Sequence, residues 1–201
     1  MEPALWIVVL VKDFSTAKSR LSPAMRPEQR RALAEMTATR ALDAALAVAP
    51  TLAVCGSEEA AQLAGSRGAQ IVVESSPGGQ NPAARRGLDE VVQRGADSAL
   101  LLSSDLPLID ADGLRRLLAH TDAEGALVVA APAVGRQGTN ALYLRPPGDI
   151  ELHFGEASLP SFAAEAHRRG RTFVIHDDPS LALDLDEPSD LSAWRVLEPT
   201  A

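Results

Sequence analysis

Three short segments carry the residue types that phosphate chemistry needs. In the first, Lys12, Lys18 and Arg20 lie within nine positions, together with the hydroxyls of Ser15, Thr16 and Ser19. Polyphosphates are held by cations and backbone N–H groups arranged around their oxygens. The stretch lacks the glycines of a Walker loop, and a solvated basic loop leading into a helix has the same composition. In the second, the apolar run Leu100-Leu101-Leu102 ends in Ser103-Ser104-Asp105-Leu106-Pro107-Leu108. One carboxylate is delivered at the end of a strand, where it could hold Mg²⁺, an ion bound through one or two carboxylates and substrate phosphates. Capping a turn or helix is the alternative role for Asp105. In the third, Leu183-Asp184-Leu185-Asp186-Glu187-Pro188, alternation in an extended chain puts Asp184 and Asp186 on one side, where both can address one cation. Asp186 also suits the N-cap of a helix starting near Pro188.

Loops with substrate-binding character accompany these segments. Ser76-Pro77-Gly78-Gly79-Gln80-Asn81-Pro82 lets a base or ribose approach the backbone. Gly135-Arg136-Gln137-Gly138-Thr139-Asn140 is a second Gly-bracketed loop, ending in a Thr–Asn pair that enters a strand. Phe154-Gly155-Glu156-Ala157-Ser158 precedes a helix and could bind an anion through free N–H groups and the Ser158 hydroxyl.

The elements that position these residues follow from hydrophobic periodicity. Residues 4–11, 51–55, 70–74, 98–103 and 126–131 read as strands buried on both faces, with further strands at 140–145 and 172–176. Helices are predicted at 27–48, 58–64, 82–94, 112–120, 159–169 and 188–197, and the first places Leu33, Met36, Leu42 and Leu46 on one face. Alternating strands and helices define βαβ units and a mostly parallel sheet, with ligands at the carboxyl ends of the strands. The expectation is one α/β domain over residues 1–201.

Bulk properties exclude several classes. The net charge of −8 disfavours a polynucleotide partner. A single cysteine, Cys55, excludes disulfide frameworks and Cys-rich zinc sites, and reads as a core residue. His120, His153, His167 and His176 have no ligand spacing and no paired nucleophile, so hydrolase triads and zinc sites lack support. Trp6 and Trp194 read as packing residues, and Arg85, Arg86, Arg168 and Arg169 as solvent-facing helical pairs. The N-terminal apolar run is too short to span a bilayer and lacks a signal-peptide pattern, so a cytoplasmic location is expected. Aromatic residues make up only 3%, so the core must be built from Ala, Leu and Val.

Taken in order, the motifs resemble a known family. Val11-Lys12 and Ala17-Lys18-Ser19-Arg20-Leu21, Gly79-Gln80-Asn81, Asp105-Leu106-Pro107-Leu108, Gly138 to Pro147 (GTNALYLRPP), Phe154-Gly155 with Ser158, and Leu183 to Leu191 (LDLDEPSDL) are similar to the guanylyltransferases that activate 2-phospho-L-lactate or phosphoenolpyruvate for coenzyme F-420 biosynthesis. The resemblance implies a three-layer, Rossmann-like fold of the nucleotide-diphospho-sugar transferase type, with a nucleotide half (1–131) and an acid half (132–201). It implies GTP phosphates at Lys12, Lys18, Ser19 and Arg20, with Lys18, Arg20 and Asp105 in catalytic roles. Gly79, Gln80 and Asn81 would contact the nucleotide. Mg²⁺ would be held by Asp105, Asp184 and Asp186, and the phosphorylated acid by Thr139, Gly155 and Ser158. The sequence departs from the family at Leu10, where a proline is usual, at Ser104, where an alanine is usual, and at Gln80, where an aliphatic residue is usual. Alternatives are a related transferase using another nucleotide or a sugar phosphate, and a non-catalytic nucleotide-binding domain. An exposed edge strand in the second half would suit a homodimer.

Overall fold

The structure is a computed structural model describing residues 4–74, 78–122 and 125–197. Seven strands form one sheet: β1 (Leu5–Val11), β2 (Thr51–Cys55), β3 (Gln70–Val73), β4 (Ser98–Ser103), β5 (Leu127–Pro132), β6 (Thr139–Arg145) and β7 (Thr172–Ile175). Their order across the sheet is β3-β2-β1-β4-β6-β5-β7. All pairs are parallel except those of β6, which runs against both β4 and β5. The reversal has a functional consequence. The first residue of β6, Thr139, lies at the same end of the sheet as the last residues of β1, β2 and β4.

Alternation along β1 divides the core. Ile7, Val9 and Val11 point into one layer with helices α1 (Pro27–Leu46), α2 (Glu58–Arg67) and α4 (Ala111–Leu118). Val8 and Leu10 point into the other with α3 (Gln80–Gln93) and α5 (Ser158–Arg168). The three-layer architecture implied by the family resemblance is therefore present. Helix α1 does not use the single face expected of it. Ala34, Ala38, Ala41, Leu42 and Ala45 lie on the sheet, whereas Leu33 and Met36 turn toward a separate cluster with Leu21, Leu183, Leu185 and Leu191. Alanines carry little weight in a hydrophobic pattern, but their small side chains let a helix lie close against strands.

Strand β3 was expected to be buried on both faces, but it is an edge strand. Only β2 flanks it, and Gln70, Ile71 and Val73 are exposed. Strand β7 forms the opposite edge, with Ile175 51% exposed. Helix α3 begins at Gln80, two residues before the predicted start. Pro82 is tolerated there because first-turn amides have no intrahelical acceptor. The short helix α6 (Pro179–Ala182) was not anticipated, whereas α7 (Pro188–Leu197) matches its prediction. No helix among the described residues is long and apolar enough to cross a membrane.

Candidate active site

A cleft of ≈ 1140 Å³ opens at the end of the sheet where β1, β2, β4 and β5 finish and β6 begins. Ligand sites generally span about 300–1,000 Å³, so two small ligands fit side by side. Twelve of the thirteen residues assigned from the motifs line it: Lys12, Lys18, Ser19, Arg20, Gly79, Gln80, Asp105, Thr139, Gly155, Ser158, Asp184 and Asp186. Ser76 and Pro77 lie outside the described residues.

The thirteenth, Asn81, is not in the lining. Its side chain donates to the Phe154 carbonyl at 3.0 Å and accepts from the Phe154 amide at 2.7 Å. The carboxamide is satisfied by this pairing, so Asn81 ties the start of α3 to the Gly155 loop. Arg85, expected to face solvent, reinforces that tie by donating to the carbonyls of Gly148 (3.1 Å) and Ile150.

The loop after β1 is built by Asp13. Its carboxylate accepts from the amide and hydroxyl of Ser15, both at 2.9 Å, while the Thr16 hydroxyl turns to the Asp13 carbonyl. Two of the three hydroxyls expected around phosphate oxygens are thus used to shape the loop. Gly56 permits its close approach to β2: a Cβ there would meet the Asp13 amide nitrogen at 2.9 Å, tighter than real contacts. Lys18 adopts left-handed backbone geometry (φ 58°). The chain turns there into a 3-10 turn over Ser19–Leu21, and Leu21 plugs the cluster beneath α1.

Lys18 pairs with Asp105 at 3.2 Å, and the Lys18 side chain is only 5% exposed. Burial opposes ionisation of Asp105, but Lys18 and then Lys12 overcome it and hold the carboxyl below its ordinary range. Asp105 is not the cap of the helix that follows, because Asp110 caps α4 by accepting from the Gly113 amide at 2.7 Å. The loop around Asp105 is held from two sides. Arg40 on α1 donates to the Pro107 carbonyl, and the Leu185 amide donates to the Asp105 carbonyl at 3.2 Å.

That last bond joins two segments far apart in sequence. Leu183 and Leu185 are buried with Leu21, Leu33 and Leu191, so the alternation turns Asp184 and Asp186 to the cleft. Asn140 fixes the run by donating to the carbonyls of Leu181 (2.9 Å) and Ala182 (3.1 Å). The two carboxylates then diverge. Asp184 binds Arg136 at 2.7 Å, and Asp186 binds Arg20 at 2.9 Å. Asp186 does not cap α7. Asp190 does that work, accepting from the amides of Asp186 (2.8 Å) and Glu187 (2.7 Å). Burial, followed by the charge of Asp105, raises Asp184 above its ordinary range despite Arg136. Arg136 and Asp190 were not singled out in the sequence; the signals were a lone cation inside a Gly-bracketed loop and an aspartate near the end of the Leu183 to Leu191 motif.

At the start of β6 and α5, the Ser158 hydroxyl donates to Thr139 at 3.0 Å, and Ser158 is 1% exposed. Gly155 (φ 130°) and Ala157 (φ 54°) turn the chain so that α5 starts at the cleft with its N-terminus inward.

The remaining candidates lie elsewhere. Cys55 is buried, and burial pushes its thiol up to about 12, with Glu58 and Glu74 adding to the effect. Trp6 and Trp194 pack against core clusters. No histidine lines the cleft among the described residues. The structure does pair His120 with His176 at 3.1 Å, a link the linear spacing concealed. It also brings ligand atoms of Glu151, His153 and Glu165 within 4.8 Å of one another outside the cleft. There, Glu165 is already engaged by Arg168, by Arg169 and by the Glu151 amide, so neither arginine is free in solvent.

Solved structures share this architecture. A nucleotide-diphospho-sugar transferase-type protein from Desulfovibrio desulfuricans G20 superposes with a TM-score of 0.80 at 15% identity, over 98% of this chain and 89% of that one. A CMP:2-keto-3-deoxy-manno-octonic acid synthetase complexed with CTP gives 0.62 at 15% identity, over 96% and 98%. With the curated relatives below, the fold and its strand-end cleft define a nucleotidyltransferase. The model of a family described as guanylyl transferase CofC like matches residues 5–196, and the chain belongs to that family. It is 38% identical to the phosphoenolpyruvate guanylyltransferase of Sphaerobacter thermophilus, over 92% of this chain and 89% of the relative. It is 34% identical to the 2-phospho-L-lactate guanylyltransferase of Methanothermobacter thermautotrophicus, over 92% and 81%. The 3-phospho-D-glycerate guanylyltransferase of Phenylobacterium zucineum is 32% identical over 91% and 86%.

Proposed function

We propose that this protein transfers GMP from GTP to a small three-carbon phosphorylated acid, releasing pyrophosphate, as a step of coenzyme F-420 biosynthesis. The observation that carries the reading is the convergence, in one two-ligand cleft, of a basic strand-end loop, three aspartates and a Thr139–Ser158 hydroxyl pair. The names of its relatives supply guanine and the class of acid.

A phosphate oxygen of the acid attacks the α-phosphorus of GTP in line, and the bond to the β-phosphate bridging oxygen breaks. The nucleophile is ionised at neutral pH, so no general base is needed, and none of the described residues lining the cleft is a histidine. Lys12, Lys18 and Arg20 orient the triphosphate and neutralise the charge that builds on pyrophosphate. Thr139, Ser158 and the backbone at Gly155 seat the acid, and Gly79 and Gln80 border the nucleoside.

Asp105, Asp184 and Asp186 fit a magnesium site. All are oxygen donors lining one cleft, each now paired with a separate cation, Lys18, Arg136 or Arg20, that a divalent ion would displace. Bound there, Mg²⁺ would supply charge neutralisation for the reacting phosphates.

The test is pyrophosphate release with each of the four nucleoside triphosphates against phosphoenolpyruvate, 2-phospholactate, 3-phosphoglycerate and sugar 1-phosphates. Release confined to GTP with one of the three acids is the expected result. Release only with a sugar phosphate, or with no combination, would overturn the reading.

A further inference from the structure

Resting on the function just proposed, we propose that Asn81 is a positioning residue: from α3 it sets the turn at Gly155, and so the seat of the acid, without touching the nucleotide. The connection between β6 and α5, residues 146–157, runs without helix or strand. Connections of about twelve residues with no regular structure of their own are uncommon, and their backbone polar groups need partners from elsewhere. Here side chains supply them. Arg171 donates to the Pro146 carbonyl at 2.7 Å, Arg85 donates to the carbonyls of Gly148 and Ile150, and the Glu165 carboxylate accepts from the Glu151 amide at 3.1 Å. Asn81 is the last of these anchors before the turn. It holds both backbone groups of Phe154, donating to the carbonyl at 3.0 Å and accepting from the amide at 2.7 Å.

The chain beyond Phe154 explains why this residue is held twice. Gly155 (φ 130°) and Ala157 (φ 54°) both take positive φ, and for Ala157 that geometry is strained. A strained turn persists only where its surroundings over-determine it. Packing on Phe162, with ring centroids 5.1 Å apart, fixes the Phe154 ring. It leaves the peptides on either side free to rotate, and the Asn81 carboxamide fixes both. The two partners differ in rigidity. Helix α3 is clamped to the sheet through buried Ala83, Ala84, Leu88 and Val91, and its Gly87 lies so close to Val8 and Val54 that no Cβ fits between them. Losing the Asn81 bonds therefore frees the 146–157 connection and not the helix, whose first turn, with Gly79 and Gln80, borders the nucleoside in the proposed reaction. The defect falls on one substrate.

Two measurements on Asn81→Ala and Asn81→Asp test this, each variant first checked for cooperative unfolding. Hydrogen–deuterium exchange of the ligand-free chain reads the anchor itself. In Asn81→Ala, peptides covering residues 148–158 should exchange about tenfold faster, while those of β1, β2 and the body of α3 keep their wild-type rates. Steady-state kinetics read the consequence. With the acid varied, kcat/KM should fall about 10- to 100-fold, the cost of a misplacement of about 1 Å, and KM for GTP should change less than about threefold. Asn81→Asp keeps the acceptor and loses the donor. Its deficit relative to wild type should be large at pH 8 and shrink toward pH 5, as protonation of the carboxyl restores a donor for the Phe154 carbonyl. A rise confined to KM for GTP would make Asn81 a nucleotide contact and overturn the proposal. So would equal losses for both substrates, unchanged exchange over 148–158, or faster exchange with kcat/KM for the acid intact. If no acid supports turnover in the wild type, the function reading fails, while the exchange measurement still decides whether Asn81 holds this turn.

Discussion

The Lys18–Asp105 pair permits stability and catalysis to be separated in one set of variants. At 3.2 Å the two charges attract by about 5 kcal/mol at an effective dielectric of about 20. Desolvation offsets much of this, and removing one partner leaves the other half-buried and unpaired. Lys18→Met or Asp105→Asn should therefore each cost about 2–3 kcal/mol, or roughly 4–12 °C in melting temperature for a chain of this length. The double variant should regain a large part of that loss, because neither charge is left without its partner. Activity should behave differently. In the proposed reaction both groups face the reacting phosphates, so each single variant should lose about 10²–10³ in kcat, and the double variant should recover none of it. Thermal denaturation and pyrophosphate release on the same preparations provide the comparison. If the double variant is no more stable than the singles, the ion pair is not what holds this loop. Near-normal turnover in Asp105→Asn would refute the catalytic assignment.

Three further outcomes are expected. Gly56→Ala places a Cβ against the Asp13 amide, and by shifting the phosphate loop it should lower kcat/KM for GTP by about tenfold or more with the fold retained; unchanged kinetics would show the loop is not set by that contact. Ser158→Ala removes the hydroxyl bonded to Thr139 and should raise KM for the acid about tenfold while KM for GTP stays constant, so a parallel rise in both would remove Ser158 from the acid site. Stability should fall on acidification in two stages at the network of His120, His176, Asp178 and Arg116. Burial, then His120 and Arg116, outweighs Asp178 and depresses His176, while hydrogen bonding to Arg116 holds Asp178 well below the carboxylate range. For both groups the unfolded chain binds the extra proton, so stability is complete above the unfolded pKa and is lost below about pH 6.5 for His176 and below about pH 4 for Asp178. Urea unfolding between pH 8 and 3 checks this, and Asp178→Asn should flatten the lower stage.

Much of this protein was legible from local pattern. Strand and helix identities follow from short-range periodicity, which the chain satisfies wherever it packs. The Leu183–Asp186 alternation already implied two buried leucines and two outward carboxylates. The motifs named twelve residues that do meet in one cleft. Tertiary structure decided which of them work together. The reversal of β6 brings Thr139 to the site, and no local rule separates an antiparallel insertion from another parallel strand. The Leu185–Asp105 backbone bond joins the segment that carries Asp184 and Asp186 to the strand end that carries Asp105. Asn81 left the ligand surface because Phe154, far along the chain, satisfied its amide. Arg136 entered it because Asp184 and Asp190 closed around a loop whose composition marked only a turn. Residue type and spacing thus determined what chemistry was available. Which charge faces which depended on pairings between distant segments, whose energies arise only when the sheet brings those segments into contact.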